Sequence, residues 1–267
     1  MIEIDLNQLL HVAISTSLEA GIKIMEIYDG DDFEIQNKSD NSPLTKADLA
    51  ANEIICRALE KTNIPVLSEE GKHESFSKRK DWQYLWIVDP IDGTKEFIKK
   101  NGEFTVNIAL IKNGIPILGV IYTPTQKIIH YATIERGSFK AFISTKQINL
   151  KSFINNSQKL PISQSRNNFI IAVSRSHPSK ETEIFIEEQV QKHSSVELLA
   201  MGSSLKLCLV AEGKADLYPR FAPTMEWDTA AGHAICLYAG KDVIDFNTNK
   251  SMLYNRENLV NNSFIVQ

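Results

Sequence analysis

A short apolar run that ends abruptly in two acids constrains the fold of this chain most. Residues 84–88 are all apolar or aromatic, and Asp89-Pro90-Ile91-Asp92-Gly93-Thr94 follows them at once. Such a run is typical of a strand that is buried on both faces. In α/β folds, ligands bind at the edge of the sheet where such strands end. The pattern therefore predicts a buried strand that delivers two carboxylates to a functional edge.

Helical and strand-like patterns both occur along the chain. From Asp5, apolar residues recur at helical spacing until Asp29-Gly30, and this predicts a long amphipathic helix. Residues 47–59 predict a second helix by the same spacing. Strand-like runs separated by turn dipeptides predict an antiparallel meander. These runs lie at 104–111, 115–122 and 127–133.

The remaining segments are interpreted from shorter patterns. We expect a short strand at 33–35, an exposed polar loop at 72–81, and a polar junction at 152–158. Because a new strand and helix pattern begins beyond that junction, the chain is predicted to have two subdomains around one cleft. The first, 1–159, holds the antiparallel sheet, and the second, 160–267, is an α/β unit.

Composition and charge exclude few small ligands but several protein classes. The 267 residues carry a formal net charge of -4, which argues against a protein that coats a nucleic acid polymer. Cys56, Cys208 and Cys236 lie in helical patterns and are expected to be buried, reduced thiols. No apolar segment reaches the 18 residues of a membrane span, and no secretory signal is evident. We expect a cytoplasmic protein and leave peripheral contact with the inner membrane open.

Five acids at the ends of strands or the starts of helices are candidates for a metal site. Asp89 and Asp92 can face a common point, and hard oxygen ligands suit Mg²⁺ or Mn²⁺. The alternative for this pair is an ordinary Asx turn. Glu69 and Glu70 also follow a predicted strand, while Asp228 starts a helix and, taken alone, is most simply a first-turn acid.

If these carboxylates lie close together, cations are needed to compensate their negative charge. Two like charges 4 Å apart repel by about 4 kcal/mol at an effective dielectric constant of 20. In-line attack of water on a phosphoryl group is the reaction that uses several carboxylates and two hard cations about 4 Å apart. A converging acid cluster would therefore indicate phosphoryl transfer.

Three segments of the chain together resemble the signatures of the inositol monophosphatase superfamily. They are Glu69-Glu70, the hexapeptide 89–94, and Trp227-Asp228-Thr229-Ala230-Ala231-Gly232, in that order. The resemblance implies an α/β (α+β) fold in the form of a layered αβαβα sandwich. It also implies dependence on two or three Mg²⁺ ions, with Mn²⁺ as a substitute, and inhibition by lithium.

The same resemblance implies roles for individual residues. The implied metal ligands are Glu69, Asp89, the backbone carbonyl of Ile91, Asp92 and Asp228, with Glu70 as a further acid near the metals. Gly93 and Thr94 would open a helix whose N–H groups hold the scissile phosphate. Asp48 and Thr94 would form the catalytic pair that orients and deprotonates the attacking water. Without the resemblance, Asp48 is simply a first-turn helix acid.

Residues 216–228 resemble the 3'(2'),5'-bisphosphate nucleotidases within that superfamily. This implies hydrolysis of the 3'-phosphate of adenosine 3',5'-bisphosphate to AMP and phosphate, extending to its sulfated analogue, as part of sulfur metabolism. The implied substrate contacts are Glu69, Ile91, Asp92, Gly93, Thr94, His177, Ser203, Lys206, Arg220 and Asp228. Taken alone, Lys206 and Arg220 are equally explained as solvated surface cations, and Ser203 as a helix cap.

Two other functions stay open at this stage. An inositol or fructose-bisphosphate phosphatase would share the metal site, and a non-catalytic sensor of nucleotide or metal would bind without turnover. The lone residues His130, His193 and His233 are expected to be structural. The expected partner is a small bisphosphorylated nucleotide, and the expected assembly is a monomer or a homodimer.

Overall fold

The computed structural model describes residues 4–30, 32–37, 43–143, 150–162, 166–175 and 179–267. Its helices are α1 Leu6–Tyr28, α2 Lys46–Glu60, α3 Phe76–Arg79, α4 Thr94–Ile98, α5 Leu150–Asn155, α6 Lys180–Lys192, α7 Leu205–Ala211 and α8 Glu226–Leu237. Its strands are β1 Gln36–Asn37, β2 Pro43–Leu44, β3 Val66–Ser68, β4 Tyr84–Asp92, β5 Thr105–Lys112, β6 Ile115–Thr123, β7 Ile128–Thr133, β8 Gly137–Phe142, β9 Gln158–Lys159, β10 Phe169–Val173, β11 Val196–Ala200, β12 Tyr218–Arg220, β13 Val243–Asp245, β14 Lys250–Ser251 and β15 Phe264–Val266.

The larger sheet runs in the order β3-β4-β5-β6-β7-β8-β9. Strands β3 and β4 are parallel, and the other neighbours are antiparallel, as the meander predicts. Ser68 pairs with Val88, so the two parallel strands end side by side. The acids that follow them, Glu69 and Asp89, are therefore delivered to the same edge.

Helices α1 and α2 cover one face of this sheet, and their boundaries agree with the predicted helices. The Asp5 carboxylate caps α1 by accepting from the backbone N–H of Asn7 at 2.9 Å. Apolar side chains of both helices, such as Leu10 and Ile55, pack in one core with the sheet. The opposite face packs in a second core against α7 and α8.

The smaller sheet lies on the other side of α7 and α8. Its antiparallel order is β12-β15-β13-β14, and the parallel pair β10-β11 adjoins it through a bridge between Ile171 and Leu217. The N–H of Ala172 donates to the carbonyl of Leu217 at 2.8 Å across that bridge. Helix α6 contacts β12. The layers are thus helix, sheet, helix, sheet, helix, which confirms the predicted αβαβα arrangement.

Three of the shorter predictions are wrong. Residues 33–35 are not a strand, because Phe33 turns into the core and packs on the ring of Phe97 at 4.9 Å, while the strand β1 begins one residue later. The predicted loop 72–81 contains α3, whose Arg79 is buried and donates to Asn255 at 2.9 Å. The predicted junction 152–158 contains most of α5 and the first residue of β9.

The described residues bear on the predictions for the cysteines, for membrane-spanning helices and for the subdomain boundary. The three cysteines are free thiols, and Cys208 and Cys236 are buried. None of the helices within the described ranges is long and apolar enough to cross a membrane. The division at residues 159 and 160 stays a prediction; the second core holds side chains from both sides of it, such as Ile87 and Ile235.

Candidate active site

The end of β4 carries the central acids of the site. The pairing of β4 with β5 is regular up to Asp89, shifts its register, and resumes at Asp92. Gly93 follows with a φ of 94°, which L side chains rarely adopt. A Cβ at Gly93 would also lie 3.0 Å from the carbonyl oxygen of Glu103. Only glycine therefore fits the turn that leads from the strand into α4.

Four carboxylates from three segments meet at this edge and repel one another. Burial raises the pKa of Asp89 well above its ordinary value, and the charges of Glu69, Asp92 and Asp228 raise it further. Burial also raises the pKa of Asp228 to about 8, with Asp92 as the next largest contribution. Asp228 comes from the first turn of α8 and Glu69 from the turn after β3. Such a cluster is stable when protons or cations compensate its charge.

The carboxylates at this edge are candidate ligands of a metal ion. Within the described ranges, no three His, Cys, Asp or Glu side chains already stand in position to hold an ion. Protein donors hold one oxygen of two of these acids, since Asp92 Oδ2 accepts from the N–H of Ser204 at 2.5 Å and Asp228 Oδ2 from that of Met225 at 2.8 Å. The chemistry nevertheless fits Mg²⁺ or Mn²⁺, since the ligands are carboxylate oxygens whose like charges a hard cation relieves.

Asp48 and Thr94 form a hydrogen-bonded pair beside the acids. The Thr94 hydroxyl lies 3.2 Å from Asp48 Oδ1 and 3.3 Å from the carbonyl oxygen of Ile91. The other oxygen of Asp48 accepts from the backbone N–H of Thr45 at 2.7 Å and from its hydroxyl at 2.6 Å. Asp48 is therefore both the first-turn capping acid of α2 and the partner of Thr94. The two interpretations of this residue are compatible.

Ser204 connects the acid edge to helix α7. Its hydroxyl lies 2.5 Å from Asp92 Oδ2 and 2.7 Å from the carbonyl oxygen of Asp228, and its single hydrogen can serve one of them at a time. Asn107 donates to the same hydroxyl at 2.9 Å. Ser204 thus fixes the distance between the end of β4 and the start of α8.

A cavity of about 230 Å³ opens beside the acids. Asp92, Gly93 and Asp228 line one part of it, and Ser203, Lys206 and Arg220 line another. Ser203 has a φ of 46°, and its hydroxyl lies 3.2 Å from that of Thr105. Acids and cations therefore face one continuous space.

Lys95, Arg175, Lys206 and Arg220 all line this cavity, and Lys206 and Arg220 differ in their surroundings. Lys206 is only 5% exposed, so the alternative that it is a solvated surface cation is wrong. Its ammonium donates to the carbonyl oxygens of Ser203 at 2.6 Å and Met201 at 3.2 Å. Burial lowers the pKa of Lys206 to about 8, against the opposing charge of Asp92. Arg220 donates from Nη1 to the hydroxyl of Ser174 at 2.9 Å.

Comparison with known proteins identifies the family. A profile of the inositol monophosphatase family matches residues 5–265. The chain belongs to the inositol monophosphatase family. Family members are metal-dependent phosphatases, generally with Mg²⁺.

Individual relatives agree with this assignment. The 3'(2'),5'-bisphosphate nucleotidase CysQ of Salmonella typhimurium is 45% identical over 251 residues, covering 92% of this chain and 94% of that protein. The crystal structure of CysQ from Bacteroides thetaiotaomicron superposes with a TM-score of 0.90 at 49% identity, covering 98% of this chain and 97% of that one. The Thermotoga maritima IMPase shares the fold, with a TM-score of 0.75 at 23% identity over 97% of this chain and 92% of that one.

In this member of the inositol monophosphatase family, most of the predicted site residues lie around the acid edge and the cavity beside it. The structure brings the carboxylates of Glu69, Asp89, Asp92 and Asp228 into mutual electrostatic range. It places Gly93, Ser203, Lys206 and Arg220 on the neighbouring cavity. Thr94 contacts Asp48 and the Ile91 carbonyl. His177 lies outside the described residues. The roles of these residues as ligands or substrate contacts remain predictions.

Sequence reasoning missed Glu103 and gave no individual role to Ser204 or Arg175. Ser204 follows the predicted substrate contact Ser203, and Arg175 lies two residues before the predicted contact His177. The Arg175 guanidinium donates from Nε and Nη2 to the two carboxylate oxygens of Glu103. These partners are 72 residues apart, so no local spacing could have joined them. The only available signal was the polar residues directly after the strand 169–173.

Proposed function

We propose that this chain is a 3'(2'),5'-bisphosphate nucleotidase, which removes the 3'-phosphate of adenosine 3',5'-bisphosphate and gives AMP and phosphate. The observation that carries the proposal is the continuity of the acid edge with the cation-lined cavity, since Asp92, Lys206 and Arg220 line the same space. The names of the CysQ relatives, which match nearly the whole chain, support the same substrate. The sulfated analogue is a second substrate of the same pocket.

The acids would hold the metal ions. We infer that Glu69, Asp89, the backbone carbonyl of Ile91, Asp92 and Asp228 bind two or three Mg²⁺ ions, with Mn²⁺ as a substitute. Bound Mg²⁺ supplies a more acidic water and neutralises charge on the phosphoryl group. Glu70, next to Glu69, is a further acid for a third ion.

The pair Asp48 and Thr94 would handle the proton of the attacking water. When Thr94 donates its hydrogen to Asp48, its oxygen lone pairs are left to accept from the water and to orient it. Asp48 is held for this task by Thr45, which occupies its other oxygen. The water oxygen would then bond to phosphorus as the bond from phosphorus to the 3'-oxygen breaks, so that no phosphoenzyme forms. The released 3'-oxygen would take a proton from solvent and leave as the hydroxyl of AMP.

The substrate would be held at both of its phosphates. The N–H groups of Gly93 and Thr94 hold the scissile phosphate at the bend after β4. Ser203, Lys206, Arg220 and His177 contact the rest of the nucleotide. A substrate with a second, uncleaved phosphate explains why cations line a cavity next to an acid cluster.

Phosphate release with purified protein and Mg²⁺ tests this function. Adenosine 3',5'-bisphosphate should be hydrolysed faster than inositol 1-phosphate or fructose 1,6-bisphosphate, and chromatography should show AMP rather than adenosine 3'-phosphate as product. Comparable turnover of inositol 1-phosphate would favour an inositol phosphatase. Binding of the bisphosphate without phosphate release would favour the non-catalytic sensor.

Assembly and location remain predictions. A monomer or a homodimer is expected, and light scattering on the purified chain would distinguish them. A cytoplasmic address, with peripheral contact at the inner membrane, can be tested by fractionation of the cells that express it.

A further inference from the structure

An ion pair at the cavity connects the two sheets. Arg175 follows β10, in the parallel pair that adjoins the smaller sheet, and Glu103 lies just before β5 of the larger sheet. The Arg175 side chain is 48% exposed and lines the cavity, whereas that of Glu103 is only 11% exposed. The guanidinium uses Nε and Nη2 for the two carboxylate oxygens. Because the contact is bidentate, it fixes the plane of the guanidinium as well as its position.

Glu103 also fixes the loop that carries the serines of the site. Its Oε2 accepts from the backbone N–H of Gly202 at 2.7 Å. A Cβ on Gly202 would lie 2.9 Å from Glu96 Cγ and 3.0 Å from Glu103 Cβ, so the loop packs directly against the side chains of these two residues. Ser203, the next residue, lies with its Cβ 3.1 Å from where a Cβ of Gly93 would be. One carboxylate therefore positions both Arg175 and the loop beside the phosphate-binding bend.

The cations that line the cavity differ in how many of their N–H groups remain available to donate to an anion. Lys206 donates to two backbone carbonyls. Arg220 donates from both terminal nitrogens, to Ser174 and to Pro223, and its buried Nε has no hydrogen-bond partner among the described residues, so the one unpartnered nitrogen of this guanidinium offers a single N–H and not a whole edge. Within the described part of the chain, Arg175 Nη1 makes no hydrogen bond. A guanidinium has five N–H groups in one plane, so an edge engaged by a carboxylate leaves the Nη1–Nη2 edge for a second bidentate partner.

We propose that Arg175, held in place by Glu103, binds the phosphate that is not cleaved and so sets the preference of the site for bisphosphorylated substrates. The inference rests on the proposed nucleotidase function and deepens it. Glu96 lies close enough to add a second negative charge beside Arg175. Because two carboxylates offset the positive charge of the guanidinium, recognition of the phosphate depends on its pair of parallel N–H donors more than on net charge. Glu103 is then a positioning residue, which acts through Arg175 and Gly202.

The test compares two substrates that differ only in the uncleaved phosphate, adenosine 3',5'-bisphosphate and adenosine 3'-monophosphate. For Arg175→Ala, kcat/KM with the bisphosphate should fall about tenfold to a hundredfold, mainly through KM, as expected for a lost charged hydrogen bond. With the monophosphate it should change by less than about threefold. Arg175→Lys should lose similar selectivity, because an ammonium cannot hold Glu103 and phosphate bidentately.

Two further variants separate positioning from simple stabilisation. Glu103→Gln should reduce the preference for the bisphosphate by a smaller factor than Arg175→Ala and should not abolish turnover of the monophosphate. Arg57→Ala is the matched control, since it removes an exposed Arg–Glu pair on α2, remote from the cavity, and should leave both substrates unchanged.

Equal losses with both substrates would overturn the proposal, because a pair that only joins the two sheets affects every substrate alike. An unchanged preference in Arg175→Lys would also overturn it, and this variant decides the matter if Arg175→Ala does not fold. If wild-type protein releases no phosphate, the proposed function has failed, and calorimetry with AMP and adenosine still tests the inference. Arg175→Lys should then weaken AMP binding about tenfold and leave adenosine binding unchanged.

Discussion

Helix α7 begins at one buried acid site and ends at another, and the two differ in what compensates their charge. At its C-terminal end, Glu212 accepts from His130 at 2.7 Å, from Lys140 at 2.9 Å and from Lys214 at 2.7 Å. Burial alone would raise the pKa of Glu212, but these partners lower it to about 2. At the N-terminal end, burial and like charges instead raise the pKa values of Asp89 and Asp228.

The difference distinguishes a structural site from a functional one. Cationic side chains of the protein compensate the charge of the Glu212 carboxylate, so this acid requires no ligand from outside the chain. The acids at the end of β4 repel one another, and their protein partners are backbone N–H groups and hydroxyls, such as those of Ser204. Burial of a carboxylate is therefore uninformative by itself. What separates the two sites is the set of neighbours, since cations surround Glu212 whereas other carboxylates surround Asp89 and Asp228.

Asp92→Asn should produce the largest effect and tests the functional side of this comparison. It removes one charge but keeps the side-chain shape and an oxygen that can accept from Ser204. We expect kcat/KM to fall about a thousandfold, as for other groups that stabilise a transition state electrostatically. The free energy of unfolding should stay equal or rise, because a like charge is removed from the cluster.

Phosphate release and thermal denaturation measure the two quantities on one preparation. Asp245→Asn is the matched control, since Asp245 is a buried aspartate at the far end of the smaller sheet, bonded to the N–H groups of Asn247 and Thr248. It should keep its activity. Full activity in Asp92→Asn would remove the carboxylate cluster from the mechanism.

Glu212→Gln should lower the stability of the protein and leave its activity nearly unchanged. Removing the carboxylate leaves Lys140 buried without a counter-charge, and breaking a buried pair in this way costs about 3 kcal/mol of stability. The protein that stays folded should keep kcat and KM close to wild type. Urea denaturation gives the first quantity and initial rates the second. A large loss of kcat at unchanged stability would show that the two ends of α7 are coupled.

The two sites should also respond to pH with opposite signs. The pKa of Glu212 is lowered to about 2 in the folded chain, so its contribution is complete above the ordinary value of 4.5 and is lost as pH falls towards 2. The pKa of Asp228 is raised to about 8 from 3.8, so stability is lost as pH rises through that interval.

Bound Mg²⁺ should offset the loss of stability that is expected as pH rises. With a chelator present, we expect the melting temperature to fall between pH 6 and pH 8.5. A fixed Mg²⁺ concentration, about a hundred times the Kd at pH 8.5, should restore about 2.7 kcal/mol at that pH. The increment should be smaller at pH 5, where protons already compensate the cluster. Titration by differential scanning calorimetry at the two pH values checks this. An increment that is equal at both would show that Mg²⁺ binds elsewhere.

The parts of this molecule that sequence reasoning predicted are those set by local pattern. The bend at Asp89–Thr94 follows from a buried strand interrupted by Pro90 and Gly93, and the capping role of Asp48 follows from its place in α2. Convergence of Glu69 and Asp228 on that bend required the family resemblance, because spacing along the chain says nothing of how β3 and α8 approach β4.

Other features were set by tertiary packing and had no local signal. Phe33 has the neighbours of a strand residue, yet its ring packs on Phe97 and the chain does not pair there. Lys206 has the sequence context of a surface cation, but α7 is sandwiched between two sheets and buries it. The pair Glu103 and Arg175 depends on the distance between the sheets.

The cations of Glu212 should themselves be unequal, and this gives the smallest predicted effect. The Lys214 side chain is 40% exposed and that of Lys140 is 10% exposed, although both ammonium groups bond the same carboxylate. Because water and salt screen the more exposed pair, Lys214→Ala should lower the free energy of unfolding by less than about 1 kcal/mol. Lys140→Ala should lower it by more, since it removes a side chain that is almost completely buried and whose ammonium bonds both oxygens of Glu212. Urea denaturation at low and high salt separates the two, and equal losses would mean that exposure does not rank the partners of a buried acid here.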